Sequence, residues 1–127
     1  MTNEELTYKI RGCIFEVFKE MGPGLLETVY EAALCFELRS QGLDVECQVP
    51  IIVKYKDTEF GLGFRIDVLV EEEIIIEIKS VESLQDIHKK KLTNYLKLTK
   101  NKIGFLVNFN CKKLIDRESI FRIINDY

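Results

Sequence analysis

The chain has no C-x-x-C pair, no internal repeat, no low-complexity or linker-like stretch, and no apolar run near the ~20 residues that cross a bilayer. These absences argue against a zinc ribbon, a solenoid, a flexible multidomain string and a helical membrane anchor. The N-terminus, Met1-Thr2-Asn3-Glu4-Glu5, lacks the basic start and apolar stretch of a secretory signal, so a cytoplasmic location is expected. The cysteines stand at 13, 35, 47 and 111, a spacing that fits no zinc pattern. Four reduced, packed thiols are expected. The two prolines, Pro23 and Pro50, fall at predicted element boundaries. The 127 residues match one domain, 1–127, long enough to bury a core without disulfides or a structural metal.

Strong positive charge is also missing. The net charge is −3, which alone speaks against a polyanionic partner. The distribution speaks for one. Residues 1–64 carry a balance of −5 and residues 87–127 a balance of +7. A phosphate-binding surface needs local positive potential, not a basic chain. The plain alternative is a solvated, lysine-rich helix face.

Apolar periodicity predicts a helix over 4–20, carried by Leu6, Ile10, Cys13, Ile14 and Val17, and broken by Gly22-Pro23-Gly24. A second helix is predicted from Leu25 to Ser40, with Gly42 suited to a left-handed cap. The period then becomes two. Strands are predicted over 43–49, 51–55 (to a turn at Lys56-Asp57), 64–70 and 74–79. A helix over 84–100 precedes an apolar strand over 103–109, and Leu114–Ile124 reads as helix or strand. The helix between the strands at 74–79 and 103–109 favours parallel pairing there, on an otherwise antiparallel meander. The expected class is α/β, a mixed sheet flanked by helices.

One hairpin stands out. A turn centred on Glu72 opposes residues whose numbers sum to 144. Ile66–Ile78, Val68–Ile76 and Val70–Ile74 then form an aliphatic face. The other face pairs Leu69–Ile75, Asp67–Glu77 and Arg65–Lys79. Like charges opposed across a ladder repel. A divalent cation between Asp67 and Glu77 would offset that, because hard oxygen ligands suit Mg²⁺ or Mn²⁺. The alternative is an exposed face with diagonal Asp67–Lys79 and Arg65–Glu77 salt bridges, each worth little. Glu77 and Lys79, two apart on a strand, project together: one to hold metal, the other to position a water.

The set Asp67…Glu77-Ile78-Lys79 resembles the PD-(D/E)XK nuclease signature. Within it the chain resembles the GxxExxY protein family, whose motif stands as Gly24-Leu25-Leu26-Glu27-Thr28-Val29-Tyr30. Arg65–Val70, and His88…Leu92-Thr93-Asn94-Tyr95-Leu96-Lys97 leading to Gly104–Phe109, fit as well; the likeness spans about Ile10 to Ile124. It implies a restriction-endonuclease-like αβββαβ core with an extra N-terminal helix. It further implies Mg²⁺ (or Mn²⁺) held by Asp67, Glu77 and the carbonyl of Ile78, with Glu27 as a helix-borne acid supporting that shell. His88, Lys91 and Tyr95 share a helix face that looks onto the site in that family. Lys91 departs from the glutamine usual there. The implied function is metal-dependent nucleic-acid hydrolysis with Lys79 orienting water, and with Lys89, Lys90, Lys91 and Lys97 contacting phosphate. A homodimer would allow symmetric cutting of a duplex. The alternative is a catalytically inactive module that binds nucleic acid or a protein.

Overall fold

The structure is a computed structural model that describes residues 1–61 and 63–125. Helix α1 (Asn3–Met21) starts where the Thr2 side chain accepts a hydrogen bond from the Glu5 amide, 3.1 Å, and buries Leu6, Ile10, Cys13, Ile14 and Val17. Helix α2 (Glu27–Ser40) begins two residues after the predicted Leu25. The Tyr30 hydroxyl accounts for the delay. It donates to the Gly22 carbonyl (2.6 Å) and accepts from the Leu25 amide (3.1 Å), holding residues 22–25 in a turn outside the helix. Gly42 ends α2 at φ 80°, as expected.

Strand β1 (Val45–Pro50) follows. The predicted strand over 51–55 shrinks to β2 (Val53–Tyr55), which pairs with an unforeseen β3 (Thr58–Phe60) across the Lys56-Asp57 turn. All three β3 residues are exposed, so no apolar alternation announces it. This small hairpin leaves the main sheet, so the continuous meander is corrected: β1 pairs directly with β4 (Arg65–Val70). Strand β5 (Ile74–Lys79) then pairs antiparallel with β4 around Glu71 and Glu72, both at left-handed φ. Helix α3 (Asp86–Thr99) crosses over to β6 (Ile103–Asn108), parallel to β5 as the crossover requires. The tail becomes strand β7 (Ile120–Ile124), antiparallel to β6. The order is β1-β4-β5-β6-β7. The mixed α/β sheet with α1 as an added N-terminal helix is therefore present.

Two cores flank the sheet. One packs Val68, Val70, Ile74, Ile76 and Ile78 against α1 and α2. The other packs Ile75 and Leu106 against Leu92, Tyr95 and Leu96 of α3. Each fully buried aliphatic chain contributes about 1.5–3 kcal/mol. Helix α3 lies tight on the sheet: a Cβ on Gly104 would meet the Leu92 side chain at 3.0 Å.

Two sequence expectations need correction. Ile66 does not share the aliphatic face of Val68 and Val70 but joins Ile51 and Tyr95 in the α3-side core. Cys35 and Cys47 are not isolated thiols; their sulfurs meet between α2 and β1, while Cys13 and Cys111 stand apart. Among the described residues no helix is long and apolar enough to cross a membrane.

Candidate active site

The β4–β5 ladder keeps the predicted register for Val68↔Ile76, Leu69↔Ile75 and Val70↔Ile74, then stops. On the other side of β4 the register runs Cys47↔Val68 and Val49↔Ile66, passing over Gln48 and Asp67. Gln48 sits at φ 54°, which interrupts the regular strand there. Asp67 thus stands where backbone pairing lapses on both flanks. Its carboxylate fills the gap: Oδ2 accepts from the Ile78 amide at 2.9 Å, and Oδ1 accepts from Gln48 Nε2 at 3.4 Å. In return the Asp67 amide donates to Glu77 Oε1 at 3.3 Å. The simple opposition of Asp67 and Glu77 in a continuous ladder is replaced by this reciprocal clasp, but the two acids are adjacent as expected.

Glu77 is 3% exposed. Its pKa is pushed up to about 8, first by burial and then by the Asp67 charge; the Asp67 amide, Lys91 and Lys79 pull the other way. The diagonal salt bridges that would have made this an ordinary sheet surface do not form. Among the described residues the ion pairs are Arg11–Asp116 and Lys89–Asp86. Arg65, expected opposite Lys79, instead donates to the Gln48 carbonyl at 3.4 Å.

Lys79 ends β5 opposite Asn108 of β6. Its carbonyl accepts from the Phe109 amide, 2.9 Å. Buried Asn108 fixes the next turn, accepting from the Val81 amide (3.1 Å) and donating to the Val81 carbonyl (2.9 Å). From the other side, Glu27 Oε2 accepts from the Ser80 amide (2.9 Å), and the Ser80 hydroxyl donates to the Leu25 carbonyl (2.6 Å). Glu27 is therefore tied to the residue after Lys79. The helix-borne acid turned towards Asp67 is Glu31, whose Oε1 accepts from Gln48 Nε2 at 2.6 Å. Burial, and then Asp67, raise the Glu31 pKa against the lowering effect of Gln48. Sequence reasoning missed Glu31, Gln48 and Asn108. Glu31 alone carried a signal, one helical turn after Glu27.

From α3, Tyr95 is buried and its pKa is raised by desolvation, then by Glu77 and Asp67. Lys91 lies over the Tyr95 ring at 5.5 Å. His88 is used locally: its Nδ1 accepts from the Gln85 amide, 2.9 Å, closing a capping box. Lys89 leans to the other flank, 4.3 Å over Phe121. Lys90 and Lys97 are exposed. Asp67, Glu77, Lys79, Lys91 and Tyr95 thus gather at one place; His88 is engaged in the cap of α3, and Lys89 lies over Phe121.

A carboxylate clasp and a lysine stand at the parted end of a central hairpin, between helical layers, in a mixed sheet of the restriction-endonuclease-like type. The sequence matches the family model of the PD-(D/E)XK nuclease superfamily over residues 4–122, and the chain belongs to that superfamily. The superfamily is one of nucleases, for which divalent metals are typical. The fold is shared with a solved structure described as "Crystal structure of SSO0001", at a TM-score of 0.58 and 23% identity. That match covers 79% of this chain and 50% of the other, so this chain spans half of its length. No curated protein matches the sequence.

Proposed function

We propose that the chain is a divalent-metal-dependent phosphodiesterase acting on nucleic acid, of the GxxExxY type, and cytoplasmic. One observation carries the reading: Asp67 and Glu77 are clasped together, and Glu77 is buried at a cost that raises its pKa to about 8. The two carboxylates cap backbone amides where the ladder parts, but neutral acceptors would do so without the repulsion and burial of charge, which is the pattern of functional sites. A cation beside it offsets both the burial and the repulsion.

The donors fit Mg²⁺ or Mn²⁺. Among the described residues no three His, Cys, Asp or Glu side chains converge as a closed ligand set. Two carboxylates and the Ile78 carbonyl suit an ion that keeps several of its waters. A bound ion of this kind supplies Lewis-acid stabilisation of charge on the phosphate. The remaining work falls to the chain. Lys79, beside Glu77, orients the attacking water. Lys91 and Tyr95 border the acid pair from α3, and Lys89, Lys90 and Lys97 meet phosphate through interactions that weaken with salt. His88, by closing the capping box, sets the start of the helix that carries them. Glu27 supports the arrangement by holding the Ser80 amide next to Lys79. A homodimer belongs to this reading where both strands of a duplex are cut.

A second reading has one observation in its favour: Lys79 and Lys91 already offset the charge of Glu77. A binding module without catalysis could rest on those lysines alone. Metal titration of wild type and Asp67→Ala separates the two. The nuclease reading expects a saturable rise in melting temperature with Mg²⁺ or Mn²⁺ and metal-dependent cleavage, both lost in a folded Asp67→Ala. Equal cleavage by that variant and wild type would overturn it.

A further inference from the structure

An open groove of about 1340 Å³ lies away from the acid pair. It wraps the outer strand β7, between Tyr8 and Arg11 of α1 and Lys89 of α3, and takes in Arg117, Phe121 and Arg122. Arg11 is neutralised by Asp116 through two hydrogen bonds of 2.7 and 3.0 Å. Lys89 keeps a 3.9 Å contact with Asp86, which leaves Arg117 and Arg122 against one lining acid, Glu4. Aromatic faces accompany the charge. Tyr8 is 80% exposed, and Phe121 lies beneath Lys89. Cations flanking the open Tyr8 ring match a strand whose phosphates and base faces are both accessible. A duplex hides its base faces.

The groove connects with the acid pair. Glu77 pairs with Leu106, and Leu106 with Phe121, so Phe121 stands two strands from Glu77, roughly 10 Å at ordinary strand spacing. Helix α3 lies between them. Lys89 and Lys91, two apart on a helix, sit on opposite flanks, one over Phe121 and the other over Tyr95. Exposed Lys90 stands between them. The Lys89-Lys90-Lys91 run therefore carries positive charge across the first turns of α3, from the groove to the site.

We propose that a single nucleic-acid strand leaving the acid pair crosses this lysine run and lies in the groove around β7, with phosphates on Arg117 and Arg122 and a base on Tyr8. The choice of polyanion rests on the nuclease reading above; the groove itself does not.

The test is fluorescence anisotropy of a labelled oligothymidylate, with EDTA present so that no cleavage intrudes. Arg117→Glu/Arg122→Glu is expected to weaken binding about tenfold or more at low salt and to lower the salt slope by roughly 2. Tyr8→Ala is expected to weaken binding by about fivefold or more with the slope unchanged. All three residues are exposed, and melting temperatures near wild type verify folding. Wild-type affinity and slope in the double variant overturn the proposal. So does a duplex that competes as well as the single strand. Binding of polyglutamate with the same arginine dependence, and none of oligothymidylate, overturns it in favour of an acidic protein partner. Groove-dependent oligothymidylate binding by a chain that never cleaves supports the groove and sinks only the nuclease reading.

Discussion

Asp67 and Glu77 each accept a hydrogen bond from the backbone of the other's strand, the Asp67 carboxylate from the Ile78 amide at 2.9 Å and the Glu77 carboxylate from the Asp67 amide at 3.3 Å. The acids therefore replace the backbone ladder at the point where it parts. Removing either leaves a buried amide without its acceptor, at about 1–3 kcal/mol. An amide side chain keeps an acceptor oxygen without the charge. Asp67→Asn and Glu77→Gln thus separate architecture from electrostatics.

Glu77 makes the stability of the metal-free protein fall as pH rises. Its folded pKa, about 8, lies above the ordinary 4.5. Between those values the folded state holds a proton that the unfolded chain has lost. The stabilising contribution is complete below about 4.5 and is lost as pH rises through 8. Glu77→Gln should flatten this slope and be more stable than wild type at pH 8 by about 1–3 kcal/mol. Urea denaturation across pH 5–9 in EDTA measures it. A Glu77→Gln profile parallel to wild type contradicts the assignment.

Asp67→Asn should lower the Glu77 pKa only in part. Burial is the first cause of the shift and the Asp67 charge the second. Carboxyl chemical shifts followed by NMR titration report the residue directly. Return of Glu77 to its ordinary range in Asp67→Asn would mean that charge, not burial, dominates.

Much of this site was legible because strand chemistry is local. The aliphatic run of β4 and β5 and the acidic turn at 71–73 fixed a register that holds over three pairs. The D…ExK spacing then placed Asp67 beside Glu77. What escaped was non-local or non-periodic. β3 is short and exposed, so it leaves no alternation. Gln48 is an ordinary polar position in an alternating strand until its φ of 54° breaks the ladder opposite Asp67. Glu27 and Glu31 lie one turn apart on α2, and only the tertiary placement of α2 decides which reaches Ser80 and which turns to Gln48. Ile66 changed core because the hairpin opens at the site, where alternation no longer governs.

Gly104→Ala should destabilise the fold and the α3 side of the site together. The added methyl would meet three carbons of the Leu92 side chain at 3.0–3.2 Å, and Leu92 is fully buried. Overpacking of this kind costs about 1–3 kcal/mol. The strain falls on the helix that carries Lys91 and Tyr95. Adding Leu92→Ala should recover part of the methyl's cost, giving a double variant more stable than the two single losses added together. Additive losses would place the strain elsewhere than at the Gly104–Leu92 contact.

Tyr30→Phe tests why the Gly24-x-x-Glu27-x-x-Tyr30 spacing matters. The Tyr30 ring is fully buried and stacks on Phe109, with centroids 4.5 Å apart. Phenylalanine keeps that stack. The variant loses only the hydroxyl that holds the Gly22 carbonyl and the Leu25 amide. Leu25 in turn accepts from the Ser80 hydroxyl, and Glu27 accepts from the Ser80 amide. The motif thus acts as a latch, tying the start of α2 to the residue after Lys79. The expected cost in stability is about 1–2 kcal/mol, with metal-dependent cleavage lowered further than stability explains, because the backbone beside Lys79 loosens. Hydrogen exchange at the Ser80 amide is the direct readout. Unchanged protection there in Tyr30→Phe, alongside the stability loss, would confine the tyrosine to packing.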